Sequence, residues 1–453
     1  MKQVYLAMPP AVKGPIKHIP YAWIAGKHYR RTLLDCRKLE RLTRPEVLSL
    51  QERLLGEVLR YAVTQVPFYM PYKSLFERHR ARDAIRGFPF LKKRDVQEHW
   101  DSLVPRSIRK IAHHRATTSG STGDQLTFLE DDTTYAKEMA FIHTQWQRVG
   151  YSTRCRKARF RAFDIDRVGP DVFWQDNPIH NEVQFSPFHM SESNMDGYWE
   201  RIREYAPEYL HGFPSAIDVL AEYVIRKGLG DGLGCLRGIL LCSEACSDAQ
   251  KSRMEKAFGK RVFTFYGHSE RVVLGGECEQ SRNYHAVPSY GYLEIIGSDG
   301  VPVEAGERGE IVGTGYLNRS MPLIRYKTDD TAIKLNESCA CGRQWELFGD
   351  VISRASVECI YGKSGARICT SVLNVDDQLL RNVVRVQYYQ DVAGELTIRI
   401  VPNALFTQEE EQRIIAEHNR RLGREILVAT ERVERIPLTK YGKQRRVICM
   451  VHA

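Results

Sequence analysis

Long apolar runs are missing from this sequence. No stretch reaches the roughly 18 apolar residues of a membrane-spanning helix, so none is expected. The N-terminus has neither an uninterrupted apolar core nor a small-residue cleavage site, which argues against a secretory leader. A disulfide framework is missing too. The 11 cysteines among 453 residues are scattered, which favours a reducing, cytoplasmic setting. There is no internal repeat and no low-complexity segment. Charge of one sign is not concentrated either: 66 Lys and Arg are interleaved with 56 Asp and Glu. That argues against a nucleic-acid partner, while the net charge of +10 suits anions such as nucleotides, coenzyme A or acidic lipids. The segment Lys13 to Arg31 mixes basic residues with Pro, Trp and Tyr. Peripheral membrane contact is therefore left open, although its apolar residues do not keep to one helical face.

What is present is an ordinary globular composition, 43% hydrophobic and 27% charged, long enough for two or more domains. Apolar residues at helical spacing run from 45 to 66 and stop at Val66-Pro67. A second helix is expected over 133 to 149. Helical and strand-like stretches then alternate: Leu220 to Arg226 as helix, Gly238 to Leu241 as buried strand, Asp248 to Phe258 as helix, Val262 to Tyr266 as strand. The alternation predicts an α/β sheet with functional loops at its strand ends. Gly291 to Ile296 and Gly309 to Val312 around Asp299-Gly300 read as a β-rich subdomain. After Arg354 the pattern restarts with strands at 383–389, 395–401 and 425–430 and a charged amphipathic helix at 407–422, a small α+β unit.

Four short motifs carry chemistry. Thr118-Ser119-Gly120-Ser121-Thr122-Gly123 packs hydroxyls and glycines into one turn, where backbone N–H groups can close around an anion. No Gly-Lys-Ser/Thr follows, so this is not a Walker loop. Tyr266-Gly267-His268-Ser269-Glu270 puts an aromatic at a strand end and a carboxylate suited to Mg²⁺ just after it. Ile324 to Asp330 offers carboxylates for ribose hydroxyls. Ile436 to Lys443 ends in a lysine on a Gly-containing loop, a cation able to neutralise charge at an attacked phosphate. Each also has a plain reading: Tyr266 as core, Asp330 as a turn residue, Lys443 as a surface lysine.

Taken in order, these motifs resemble the adenylate-forming superfamily of acyl-CoA synthetases and peptide-synthetase adenylation domains. The similarity is greatest to the phenylacetate–CoA ligase-like branch, which includes capsular-polysaccharide members. Pro67-Phe68-Tyr69, Phe88 to Lys93, His211-Gly212-Phe213-Pro214-Ser215 and Ser243-Glu244 extend the match over nearly the whole chain. The resemblance implies a large N-terminal adenylation domain, 1–353, with α/β sheets and a β-rich part at 271–350. It also implies a small mobile α+β lid domain, 354–453. By resemblance, Thr118 to Gly123 bind phosphate, Ser243, Glu244 and Ala245 form the adenine-side turn, and Tyr266 packs on adenine. Gly267, His268 and Ser269 continue the ATP site, Glu270 binds Mg²⁺, Asp330 holds the ribose, Arg354 contacts ribose or phosphate, and Lys443 promotes adenylation. The implied activity is ATP-dependent activation of a carboxylic acid as its adenylate, then transfer to the thiol of coenzyme A.

Departures qualify this. Asp329 replaces a Gly before the ribose carboxylate, and Ser353-Arg354-Ala355-Ser356-Val357 lacks the acidic hinge residue. An amine acceptor, as in polysaccharide or specialised-metabolite biosynthesis, is one alternative, and a non-catalytic nucleotide-binding homologue is another. For the acid, His143, Trp146, Phe213 and Pro214 are candidate pocket residues, with packing as the plain alternative. Cys278-x₆-His285 and Cys339-Ala340-Cys341 read from spacing either as a closed structural zinc set or as buried cysteines beside an unrelated histidine. Branch members with a Cys, His, Cys, Cys set favour zinc.

Overall fold

The computed structural model describes residues 15, 18–118, 126–161, 172–187, 189–244, 246–336, 338–352, 359–373, 375, 378–437 and 446–451. The helix Arg44–Gln65 begins where Thr43 N–H donates to the Glu46 carboxylate at 2.8 Å, and ends at the Val66-Pro67 step. Val47, Leu55, Leu59, Ala62 and Val63 recur at helical spacing and supply its buried face. No helix among the described residues is long and apolar enough to cross a membrane.

Two large sheets position the site. The first has six strands in the order 174–177, 182–185, 157–160, 209–212, 238–241, 262–263. All neighbours are parallel except the first pair. The helices Glu192–Tyr205, Pro214–Lys227 and Asp248–Phe258 cover one face, around Ala158, Phe160, Leu210 and Ile239. The helix Thr134–Gln147 covers the other, where Trp146 packs with Tyr151, Tyr209 and Leu240. Alternation along each strand sorts its residues between the two faces. Gly212 ends one central strand, and a Cβ there would lie 2.1 Å from the Phe160 carbonyl oxygen, so only glycine fits.

The second sheet is antiparallel, with seven strands in the order 291–296, 308–315, 326–335, 347–352, 284–286, 274–277, 265–267. The sequence suggested one strand over 262–266, and the structure splits it. Val262–Phe263 closes the parallel sheet, whereas Phe265–Gly267 edges the antiparallel one. The crossing residue, Thr264, donates from its backbone N–H at 3.1 Å and its hydroxyl at 2.7 Å to the buried carboxylate of Glu277. A side chain thus replaces the ladder partner at the switch.

A two-stranded hairpin, His113–Thr117 with Thr127–Asp131, precedes the helix Thr134–Gln147. Towards the C-terminus a four-stranded sheet, ordered 427–432, 395–402, 383–390, 447–449, packs its apolar face with the helix Gln408–Leu422. Its edge strand starts at Leu427, two residues later than expected, because Gly423–Glu425 forms a 3₁₀ turn.

Candidate functional site

The antiparallel sheet holds two tyrosine–carboxylate pairs. Tyr266, buried at the strand Phe265–Gly267, donates its hydroxyl to Asp330 at 3.0 Å. Tyr326, at the start of the strand 326–335, donates to Glu270 at 2.8 Å. Burial, with the neighbouring carboxylates, raises both tyrosines well above the ordinary phenol value, so both act as donors. Asp330 is aimed by its own strand: Asp329 adopts φ +64° and Thr328, bonded to the Ile311 carbonyl at 2.8 Å, accepts from Asp330 N–H at 3.2 Å. Asp329 itself is exposed.

His268 precedes Glu270 by two residues and feels the charge of both carboxylates. Burial lowers its pKa, against the opposing pull of Glu270 and Asp330. The Val272 N–H approaches its Nε2 at 3.4 Å, and Nδ1 is buried without a partner among the described residues. A neutral ring accepting at Nε2 carries its proton on Nδ1, and an anionic ligand would satisfy that donor. Gly267 and Ser269 are exposed beside it.

The parallel sheet contributes its carboxyl strand ends, where open α/β sheets bind ligands. Phe213 and Pro214 follow the strand 209–212 and start the next helix, and both are buried. Ser243 follows 238–241 at φ +68°, accepting from Arg161 at 3.3 Å, and Glu244 caps the helix at Ser215 N–H at 3.2 Å. Thr118 seals the neck of the hairpin: its N–H donates to Leu126 O at 2.8 Å and its hydroxyl accepts from Leu126 N–H at 3.0 Å. Ser119, Gly120, Ser121, Thr122, Gly123, Ala245, Arg354 and Lys443 lie outside the described residues.

His143 and Trp146 are both buried. His143 Nδ1 is 2.8 Å from the Tyr29 hydroxyl, and both rings pack with Tyr151. Burial, then Lys157, keeps His143 neutral. Sequence reasoning missed Tyr326, quoted in its motif but given no role, and the charged residues Lys157, Arg159, Arg161 and Glu182. Alternation of Lys157 and Arg159 with Ala158 and Phe160 was the available signal.

Cys278, His285, Cys339 and Cys341 converge, with all ligand atoms within 4.8 Å of one another. Cys278 Sγ lies 3.4 Å from Cys339 Sγ, and Cys341 Sγ lies 3.3 Å from His285 Nε2. Cys278 directly follows the strand 274–277, His285 lies in its neighbour 284–286, and the other two come from the loop before 347–352. In that loop Gly342, at φ +79°, turns its N–H back to Cys339 O at 2.9 Å. Burial, with Arg148 and Arg343 nearby, brings the His285 pKa down to about 4, leaving a free imidazole lone pair at neutral pH. Gln280 N–H donates to Cys278 Sγ at 3.3 Å, and Arg343 clamps Glu279 at 2.7 and 2.8 Å. Three sulfurs and one imidazole at this spacing suit tetrahedral zinc.

The chain has relatives among known proteins. The family model "CapK C-terminal domain" matches residues 360–449. Phenylacetate-coenzyme A ligase of Thermus thermophilus is 26% identical over 336 residues, covering 70% of this chain and 72% of that protein. Protein CapK of Staphylococcus aureus is 22% identical over 432 residues, 93% of this chain and 92% of that one. Among solved structures, 2-hydroxyisobutyryl-CoA ligase with 2-HIB-AMP and CoA in the thioesterification state aligns at TM-score 0.59. That match has 19% identity and covers 91% of each chain. The sequence relatives are thus phenylacetate–CoA ligases and CapK, and the fold is that of an acyl-CoA ligase.

Proposed function

We propose that the protein activates a carboxylic acid with ATP, releasing pyrophosphate, and passes the acyl group from the adenylate to the thiol of coenzyme A. The observation that carries this reading is the pair of tyrosine-held carboxylates around His268, in a chain similar to ligases of that chemistry. The acid's carboxylate oxygen bonds to the α-phosphorus as the bond to pyrophosphate breaks. Asp330, fixed by Tyr266, suits the ribose hydroxyls. Glu270 has one oxygen on Tyr326, and its other suits a hard cation such as Mg²⁺, which would screen the phosphates. Lys443 supplies positive charge at the α-phosphate. Positioning and electrostatics carry the acceleration, and no side-chain nucleophile is needed. Zinc on Cys278, His285, Cys339 and Cys341 is structural, because the set is closed and leaves no open position.

The test is acid-dependent pyrophosphate release by the purified protein with ATP and Mg²⁺, across aryl, fatty, amino and uronic acids. Lys443→Ala is expected to reduce release on the order of 10²- to 10³-fold. Unchanged release in that variant would falsify the assignment of Lys443, and ATP binding with no turnover on any acid would favour a nucleotide-binding homologue. Thioester against amide formation in the same assay decides the acceptor, a question the altered hinge sequence Ser353 to Val357 raises. Metal analysis should find about one zinc per chain, lost in Cys339→Ser.

A further inference from the structure

The strand Lys157–Phe160 carries an unusual burden on the face it turns to the helix Thr134–Gln147. Lys157, Arg159 and, just past the strand end, Arg161 follow one another at alternate positions. They run from the closed interior to the carboxyl end of the sheet. Lys157 is almost fully enclosed and lies 3.1 Å from the equally enclosed Glu182. Arg159 reaches the same carboxylate at 3.7 Å, too long for a hydrogen bond. Arg161 extends to the Ser243 hydroxyl at 3.3 Å, on the turn that the resemblance assigns to the adenine side. Glu182 is the carboxylate that ion-pairs with this row among the described residues, and Asn177 and Gln184 each bond its Oε1 at 2.9 Å. Among the described residues two cations, Lys157 and Arg159, therefore share one carboxylate, and Arg161 adds a third positive charge farther along the row. The ring of His211, in the next strand, feels all three: burial, then Lys157, Arg161 and Arg159, lower its pKa. His180, in the same cluster, is lowered to about 4 by burial first and adds no charge at neutral pH.

Enclosed, unbalanced guanidinium groups are costly, and their planar donor forks match carboxylates. Resting on the reading of the site given above, we infer that Arg159 and Arg161 recognise a second anionic group on the acid, so that the substrates are dicarboxylates or acidic-sugar-type acids rather than simple aryl or fatty acids. Asn177 and Gln184, both bonded to Glu182, make the surroundings of the row polar, which suits such a molecule. Glu182 fixes the row in place, and the substrate's distal anion completes its neutralisation.

The experiment pairs acids differing only in a distal carboxylate: butyrate with succinate, hexanoate with adipate, phenylacetate with 4-carboxyphenylacetate. Thermal upshift of the protein in the presence of ATP reads binding, and pyrophosphate release reads turnover. The diacid of at least one pair is expected to show a KM at least about 10-fold lower than its partner. Arg159→Met and Arg161→Met should each collapse that ratio towards one, Arg159→Met with the KM for ATP unmoved. Folding of each variant is checked by its melting without ligand. A monoacid preferred in every pair would overturn the inference, as would variants that raise the KM for ATP alone, which would give the arginines to the nucleotide. A diacid-specific upshift without pyrophosphate release, lost in both variants, would sustain the inference and sink the proposed activation reaction instead.

Discussion

Two buried ion pairs, one in each large sheet, are equally enclosed and differ in completeness. In the antiparallel sheet, Arg325 meets Glu294 through two bonds of 3.1 and 3.0 Å, both side chains 5% exposed. Its guanidinium also donates to the Arg86 and Phe88 carbonyls, each at 3.1 Å, and stacks 4.0 Å from the Phe90 ring. Those contacts tie the segment before Leu91 to the sheet and leave little unspent. In the parallel sheet, the Lys157–Glu182 pair is as deeply placed, yet a further cation crowds it at 3.7 Å. Closed pairs hold a fold together, whereas a pair with surplus charge is a place where something else can bind.

The largest effect should come from breaking the closed pair. Glu294→Gln strands an arginine that cannot lose its proton, and should cost about 3–5 kcal/mol in denaturant unfolding. No change in the ranking of acids is expected. A cost below about 1 kcal/mol would mean that the two carbonyls and Phe90 alone suffice for Arg325.

Glu182→Gln comes next and should cost less, about 2–3 kcal/mol, because Lys157 can shed its proton when its partner goes. Burial pushes the Glu182 carboxyl up, but Lys157, Arg159 and His180 outweigh it and hold it far below the usual carboxylate range. A depressed folded-state pKa means the pair's contribution is complete above the unfolded value, near pH 4.3, and fades as pH falls below it. The stability gap between wild type and Glu182→Gln should therefore narrow in acid, as read from urea midpoints at pH 7 and pH 3. A gap independent of pH would show that Glu182 works through its neutral hydrogen bonds to Asn177 and Gln184.

The contrast between the two pairs was only half legible in the sequence. Arg325 stands in a motif that was singled out, while Lys157 and Glu182 read as ordinary polar positions 25 residues apart. Pattern exposes what is local. Gly238–Leu241 and Asp248–Phe258 fell where expected because a short apolar run and a Ser247 cap, accepting from Gln250 N–H at 3.2 Å, define them locally. The break at Thr264 depends on Glu277, thirteen residues later, so 262–266 read as one strand. The convergence of Cys278, His285, Cys339 and Cys341 was legible because cysteine and histidine spacing survives folding. The tyrosine clamps were not, since hydroxyl partners such as Tyr326 and Glu270 are set by register across different strands.

The smallest expected effect tests whether the antiparallel sheet pre-orients the reacting groups as firmly as it holds Arg325. Tyr326→Phe removes one neutral-to-charged hydrogen bond and nothing else, since the ring stays packed at the strand start. Such a bond is worth about 1–2 kcal/mol, so KM for ATP with Mg²⁺ should rise roughly 5- to 30-fold, with the melting temperature moved only slightly. The phenol is buried, and removing it also spares the cost of its enclosure, so stability should not fall in step with affinity. Tyr266→Phe frees Asp330 in the same way, but Thr328 still accepts from Asp330 N–H at 3.2 Å and keeps its backbone in place. Its effect should therefore be the lesser of the two. Equal losses in both variants would mean that the strand backbone contributes little, and that each carboxylate is held by its tyrosine alone.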